Sequence, residues 1–214
     1  MCGKAPGSGR PVPGGARQAC RVSGLRTLDA AVVQLGGLDA WVNNAGVSTL
    51  APLMETSADD LTRLVDVNVV GVLHGMQAAA RHFLDTNTPG RIVNISSDLG
   101  VAAFKFLGAY AATKFAVVAL TKTLALELAA DGITVNAVCP GTAETDMVMA
   151  ERDSETTLLG LSAHDVRQSY LDGIPLGRFC EPADIGAAVA YLLSPGASYV
   201  TGQSICINGG SVLH

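Results

Sequence analysis

Apolar positions at Leu25, Leu28, Val32 and Leu35 recur at helical spacing and stop at Gly36-Gly37, which predicts a short helix over 25–35. Residues 38–42 then read as a buried strand that runs into Asn43-Asn44-Ala45-Gly46. Ser57, with Asp60 three residues on, forms an acidic capping pair, and Leu61, Leu64, Val65, Val72, Met76 and Phe83 carry one long helix to about residue 85. Beyond the turn Thr88-Pro89-Gly90, a strand is expected over 91–95, a helix over about 109–130, and a second strand over 133–139 after Gly132. Pro140-Gly141 opens a loop, Ser162 with Asp165 caps a short helix, and a helix over about 182–193 leads to a last strand at 204–207. Strands alternating with long helices predict an α/β fold, a doubly wound parallel sheet in a single domain over 25–214. Residues 1–24 stand apart: nine of these 24 are Gly or Pro and none is acidic, so an irregular segment is expected there.

Composition narrows the possibilities. The formal net charge of −5 leaves no basic field for nucleic acid or an anionic membrane surface. With 49% apolar and only 15% charged residues, the chain belongs among folded proteins and not disordered ones. Five cysteines at 2, 20, 139, 180 and 206 form no C-x-x-C pair and no Cys/His group at metal-ligand spacing, so they read as reduced cytosolic thiols and no metal is expected. The run from Gly186 to the end lacks charge, yet Pro195, Gly196, Gln203 and Asn208 interrupt it too often for a membrane span. A soluble cytoplasmic protein is the expectation.

The chemistry concentrates on few residues. Tyr110 and Lys114 lie four apart near a helix start and project to the same side. A phenol with an ordinary pKa near 10 is a poor proton donor or acceptor at neutral pH, and an adjacent ammonium would lower that value. Such a pair alone means little, but Ser97 comes at the end of an expected strand, where open parallel sheets bind ligands. Asn68 interrupts a helix among valines, where a short amide competes with the backbone; it reads either as a structural kink or as the holder of a water beside the lysine.

Taken in order, Asn43-Asn44-Ala45-Gly46, Ser97, Tyr110-Ala-Ala-Thr-Lys114, Pro140-Gly141-Thr142-Ala-Glu-Thr145 and the closing Tyr199-Val-Thr-Gly-Gln203 with Asn208-Gly209-Gly210 resemble the short-chain dehydrogenase/reductase family over about residues 25–210. The resemblance implies a Rossmann-like fold and NAD or NADP as cofactor. It implies Tyr110 as the acid/base, Lys114 as the group that lowers its pKa and binds the nicotinamide ribose, Ser97 on the substrate carbonyl, and Asn68 anchoring a water. Asn43, Asn44, Ala45 and Gly46 would lie beside the adenosine half of the cofactor, and Pro140, Gly141, Thr142 and Thr145 on the nicotinamide side. The reaction implied is hydride transfer between nicotinamide and a small alcohol or ketone: a polyol, hydroxyketone, hydroxyacid or 3-oxoacyl compound. Helices 57–84 and 109–130 carry more apolar residues than one sheet face should cover, so a homodimer or homotetramer is expected.

The family opens with a strand and a glycine-rich T-G-x-x-x-G-x-G turn, and neither appears before Asn43. An amino-terminally truncated domain is therefore expected, with an open edge at strand 38–42. A catalytically silent member that serves as an oligomerisation or interaction module is the alternative. Residues 143–177 would form a lid whose apolar side chains (Met147, Met149, Leu158) and acids (Glu144, Asp146, Glu151, Asp153) select no one substrate.

Overall fold

The computed structural model of the chain describes Leu28 and residues 30–213. The irregular segment expected over 1–24 and the expected amino-terminal truncation fall outside the described residues. Four strands, β1 (Ala40–Asn43), β2 (Arg91–Ile95), β3 (Thr134–Pro140) and β4 (Ser204–Ile207), form a parallel sheet in that order. Asn43 pairs with Asn94, Ile95 with Val138, and Cys139 with Cys206, so the carboxyl ends of β1 to β4 gather on one rim. The helices are α1 (30–35), α2 (Ala58–Val65), α3 (Val72–Asp85), α4 (Gly108–Leu128), α5 (Asp146–Leu159), α6 (Ala163–Asp172) and α7 (Pro182–Leu193).

Alternation along the central strands divides the core. Ile92 and Val135 pack with Val72, Met76, Phe83, Val117 and Ala125 of α3 and α4. Val93 and Val138 face the other way, onto Leu192, Ile185 and Val189 of α7. A parallel sheet covered on both faces requires apolar residues at consecutive positions, which is what 91–95 and 133–139 supply. Helix α4 is long and apolar enough to cross a membrane, but it serves as a core helix with Val117 and Ala125 buried against the sheet.

Strands β2 and β4 and helix α7 have the expected bounds, while other elements differ for identifiable reasons. The strand expected over 38–42 is shorter, Ala40–Asn43, and is an edge strand among the described residues, with Val42 38% exposed instead of buried. The single long helix is interrupted: between α2 and α3 the chain widens into a π-helical stretch, Asp66–Gly71, around Asn68. Helix α5 was not apparent in the hydrophobic pattern, because its apolar residues follow no helical stripe. Its start is set by Thr145, whose hydroxyl accepts from Val148 N at 3.4 Å, and its end by Gly160, at φ +65°. Ser57 and Ser162 cap α2 and α6 as expected, each accepting from the backbone N–H three residues on. Of the apolar residues for which a two-fold interface is expected on these two helices, Ala78, Ala79, Ala80, Val117 and Val118 are buried within the chain itself and Leu120 and Leu124 partly so, whereas Phe115 is exposed, as is Leu126 further along α4.

A partly buried chain of side-chain hydrogen bonds ties the edge strand to the layer beneath it. Trp41 Nε1 donates to Asn43 Oδ1, Asn43 Nδ2 to Asn94 Oδ1, and Asn94 Nδ2 to Thr121 Oγ1, at 2.8, 2.8 and 2.9 Å. Helix α3 approaches this chain at Gly75, where a Cβ would overlap the Asn43 carboxamide. Gly75→Ala should therefore destabilise the protein by about 1–3 kcal/mol through overpacking. Denaturant unfolding checks this, and an unchanged midpoint would mean that the network has room to yield.

Candidate active site

At Ile95, β2 leaves the sheet, and Ser96-Ser97-Asp98 turn across the carboxyl rim onto α4. Ser96 Oγ donates to the Lys114 carbonyl at 3.0 Å. Gly100 lets this turn press against the helix, since a Cβ there would stand 2.5 Å from Ser96 Oγ and 3.0 Å from Lys114 O. Ser97 caps the turn by accepting from Leu99 N at 3.1 Å, and it donates to Asp98 Oδ1 at 3.1 Å.

Tyr110 and Lys114 emerge from the first two turns of α4 toward the same rim. Lys114 is 3% exposed, and its Nζ donates to the Ile95 carbonyl at 3.0 Å while standing 5.6 Å from the Tyr110 ring centre. Burial lowers the pKa of this ammonium to about 8. The Tyr110 phenol moves the other way from the expected one. Burial raises its pKa, the Glu151 carboxylate adds to the rise, the nearby Ser97 hydroxyl opposes it, and Asp98 contributes a smaller push upward. Loss of solvent, with a lesser push from Glu151, thus sets the direction of the shift, toward the protonated phenol.

Asn68 is fully buried. Its Oδ1 accepts from Val47 N at 2.9 Å, and its Nδ2 donates to Val47 O at 2.8 Å and to Thr113 Oγ1 at 3.0 Å. Thr113 Oγ1 in turn donates to the Tyr110 carbonyl at 2.7 Å. The π-helical widening brings the carboxamide onto the loop after β1 and clamps that loop to α4, which is the structural one of the two roles its position leaves open. The clamp puts Gly46 beside the lysine, where a Cβ would stand 3.5 Å from Nζ and 3.6 Å from Asn68 Oδ1.

These groups border a cleft of about 880 Å³. Asn44, Ala45, Gly46, Ser97, Tyr110, Lys114, Pro140, Gly141, Thr142 and Thr145 all line it. Asn43 and Asn68 do not: Asn43 is engaged in the network behind the cleft, and Asn68 acts through the loop it holds. Gly141 is required by packing, because a Cβ there would meet Asn208 at 2.8 Å. Residues not singled out by the motifs complete the walls. Phe104 lies on the loop before α4, Glu155 on α5 and Tyr170 on α6, joined by Glu151. No metal-holding group of His, Cys, Asp and Glu occurs among the described residues.

Residues 23–212 match the family model described as enoyl-(acyl carrier protein) reductase. The chain is 43% identical over 184 residues to a diacetyl reductase ((S)-acetoin forming) of Staphylococcus epidermidis, covering 85% of this chain and 71% of that protein. It is 40% identical over 184 residues to an L-2,3-butanediol dehydrogenase of Corynebacterium glutamicum, covering 86% and 71%. Among solved structures, an NAD+-bound xylitol dehydrogenase superposes with a TM-score of 0.84 at 32% identity, over 89% of this chain and 75% of that one. A variant of an actinorhodin polyketide ketoreductase with NADPH gives 0.85 at 34%, over 92% and 75%.

Removing the Asn68 carboxamide would orphan the Val47 N–H and C=O, at about 1–3 kcal/mol for each buried group left unmade. Asn68→Ala should accelerate amide hydrogen exchange at Val47 and its neighbours while leaving β3 amides protected. Unaltered exchange at Val47 would show that the loop does not depend on the clamp.

Proposed function

The chain belongs to the short-chain dehydrogenase/reductase family, and from that membership we propose that it transfers a hydride between NAD or NADP and a small alcohol or ketone. The observation that carries this reading is the meeting of Ser97, Tyr110 and Lys114 at one end of a single cleft, from a strand end and two turns of one helix.

The described residues suit the nicotinamide and ribose end of a dinucleotide. Gly46 offers bare backbone beside Lys114, and the Ile95 carbonyl takes one of the three ammonium N–H groups, which leaves donors for ribose hydroxyls. Asn44, Ala45 and Gly46 would flank the cofactor on one side, and Pro140, Gly141, Thr142 and Thr145 on the other. Bound there, the nicotinamide supplies a hydride to a carbonyl carbon or accepts one from a carbinol.

The protein's part is to hold and move the proton. In the reductive direction, Ser97 donates to the substrate oxygen and orients it, and the Tyr110 hydroxyl delivers a proton to that oxygen as negative charge develops. A phenol kept protonated by burial is the correct form for that step. Lys114 places positive charge beside the phenol, which stabilises the phenolate left behind. Asn43 and Asn68 act as positioning residues, the first through β1 and the second through Val47. A homodimer or homotetramer belongs to the same proposal, supported by the exposed Phe115 and Leu126 on α4, and so does a cytoplasmic location, in keeping with the cysteines that form no C-x-x-C pair.

Tyr110→Phe removes the transferable proton and little else. With NADH or NADPH and a panel of small ketones, it should lower kcat by about 10²- to 10⁴-fold, with the thermal midpoint retained. Turnover within a few-fold of the parent protein would show that another group carries the proton.

A further inference from the structure

Beyond Tyr110, the cleft ends in two acids that no cation among the described residues pairs. Glu151 and Glu155 stand one turn apart on α5, and both line the cleft. Glu151 shares the cleft wall with Tyr110 and, of the charged groups that act on its phenol, has the largest effect; burial raises the pKa of Glu151 itself, a hydrogen bond with Ser48 opposes the rise, and Glu155 adds to it. Burial raises the pKa of the Tyr170 phenol of α6, a hydrogen bond with Glu155 adds to the rise, and Glu155 Oε2 is shielded from solvent with no hydrogen-bond partner among the described residues.

The nearby cations are committed elsewhere. Arg152 and Arg167 pair with Glu144 at 3.5 and 3.1 Å and lie over the Phe179 ring, 5.3 and 4.8 Å from its centre. Among the described residues, the remaining cations on the cleft wall are Lys114, which is held at Ile95, and Lys105, on the exposed loop before α4. Two acids partly withdrawn from water, with only the Ser48 and Tyr170 hydroxyls as donors and Glu155 Oε2 left without one, gain from a further donor. A carboxylate or phosphate on the substrate would be repelled there. A neutral hydroxyl brings a donor without the desolvation cost of a buried ammonium.

We infer that Glu151 and Glu155 set the specificity of this cleft for neutral hydroxylated substrates, hydroxyketones and polyols, by accepting a hydrogen bond from a substrate hydroxyl, and that they turn away hydroxyacids and other anions. This rests on the oxidoreductase reading above and narrows its substrate class.

The test compares hydroxyacetone, butanone and pyruvate, three methyl ketones that differ at one substituent as hydroxyl, methyl and carboxylate, with NADH or NADPH present. The parent protein should favour hydroxyacetone over butanone by about tenfold in kcat/KM, expressed in KM, and should reduce pyruvate about a hundredfold less well than hydroxyacetone. In the double variant Glu151→Gln, Glu155→Gln, the hydroxyacetone-to-butanone ratio should fall toward one, and pyruvate should gain relative to both. Reduction of pyruvate as efficient as that of hydroxyacetone by the parent protein, or ratios unmoved in the double variant, would overturn the inference while leaving the oxidoreductase reading standing. Saturation-transfer NMR of hydroxyacetone and pyruvate against the same mixtures gives a readout without turnover. Contact by hydroxyacetone alone, lost in the double variant and accompanied by no reduction, would support the wall and sink the redox reading instead; no contact and no turnover would overturn both.

Discussion

Burying the Lys114 ammonium at the carboxyl rim of a parallel sheet is the constraint around which this site is arranged. A charge taken out of water is tolerated only with a close partner, and the Ile95 carbonyl at 3.0 Å is that partner. The bond fixes α4 against the end of β2, and Ser96 reinforces the same junction by donating to the Lys114 carbonyl. A side chain is then excluded at Gly100, where a Cβ would meet Ser96 Oγ at 2.5 Å and the Lys114 carbonyl at 3.0 Å, whereas one at Gly46 would make ordinary contact with the ammonium. The ammonium also carries a thermodynamic cost. Its pKa of about 8 lies below the ordinary 10.5, so the unfolded chain holds the proton more tightly. The penalty is fully present below pH 8 and is relieved as pH rises from 8 toward 10.5. Stability is sacrificed here for a charge held close to a phenol, as functional sites often require.

Much of this was legible along the chain, for physical reasons that can be located. Residues 91–95 and 204–207 read correctly as strands because a sheet covered on both faces needs consecutive apolar residues. Residues 182–193 read correctly as a helix because Pro182 marks its start and Pro195 lies just past its end. Tyr110 and Lys114 were recognisable together because helical spacing alone puts them on one side, and Ser97 joined them because a strand end delivers it to the rim. The surrounding family motifs gave the pair its weight.

Other features depend on contacts remote in sequence. Asn43 shares a motif with three cleft-lining neighbours, yet it turns inward because Asn94 and Trp41, 51 and 2 positions away, offer hydrogen bonds that solvent would otherwise supply. Asn68, in a π-helical stretch, hydrogen-bonds both backbone groups of Val47, 21 positions away. The direction of the Tyr110 shift could not be read from Lys114 alone, since Glu151 reaches the phenol from a lid helix with no apolar period to reveal it. The same lid hid Glu155 and Tyr170. The cleft thus combines a reacting end specified by local spacing with a far wall specified by tertiary packing.

The central claim is that the Lys114 ammonium is dehydrated and held at the strand end, poised beside Tyr110. Direct NMR titration of the lysine side-chain signals, with Lys114 assigned by comparison with Lys114→Arg, reads its protonation in the folded protein. A midpoint near 8 is expected from its burial. A midpoint near the ordinary 10.5 would mean that the ammonium is solvated, and the arrangement of Ile95, Tyr110 and Gly46 around it would then need another cause.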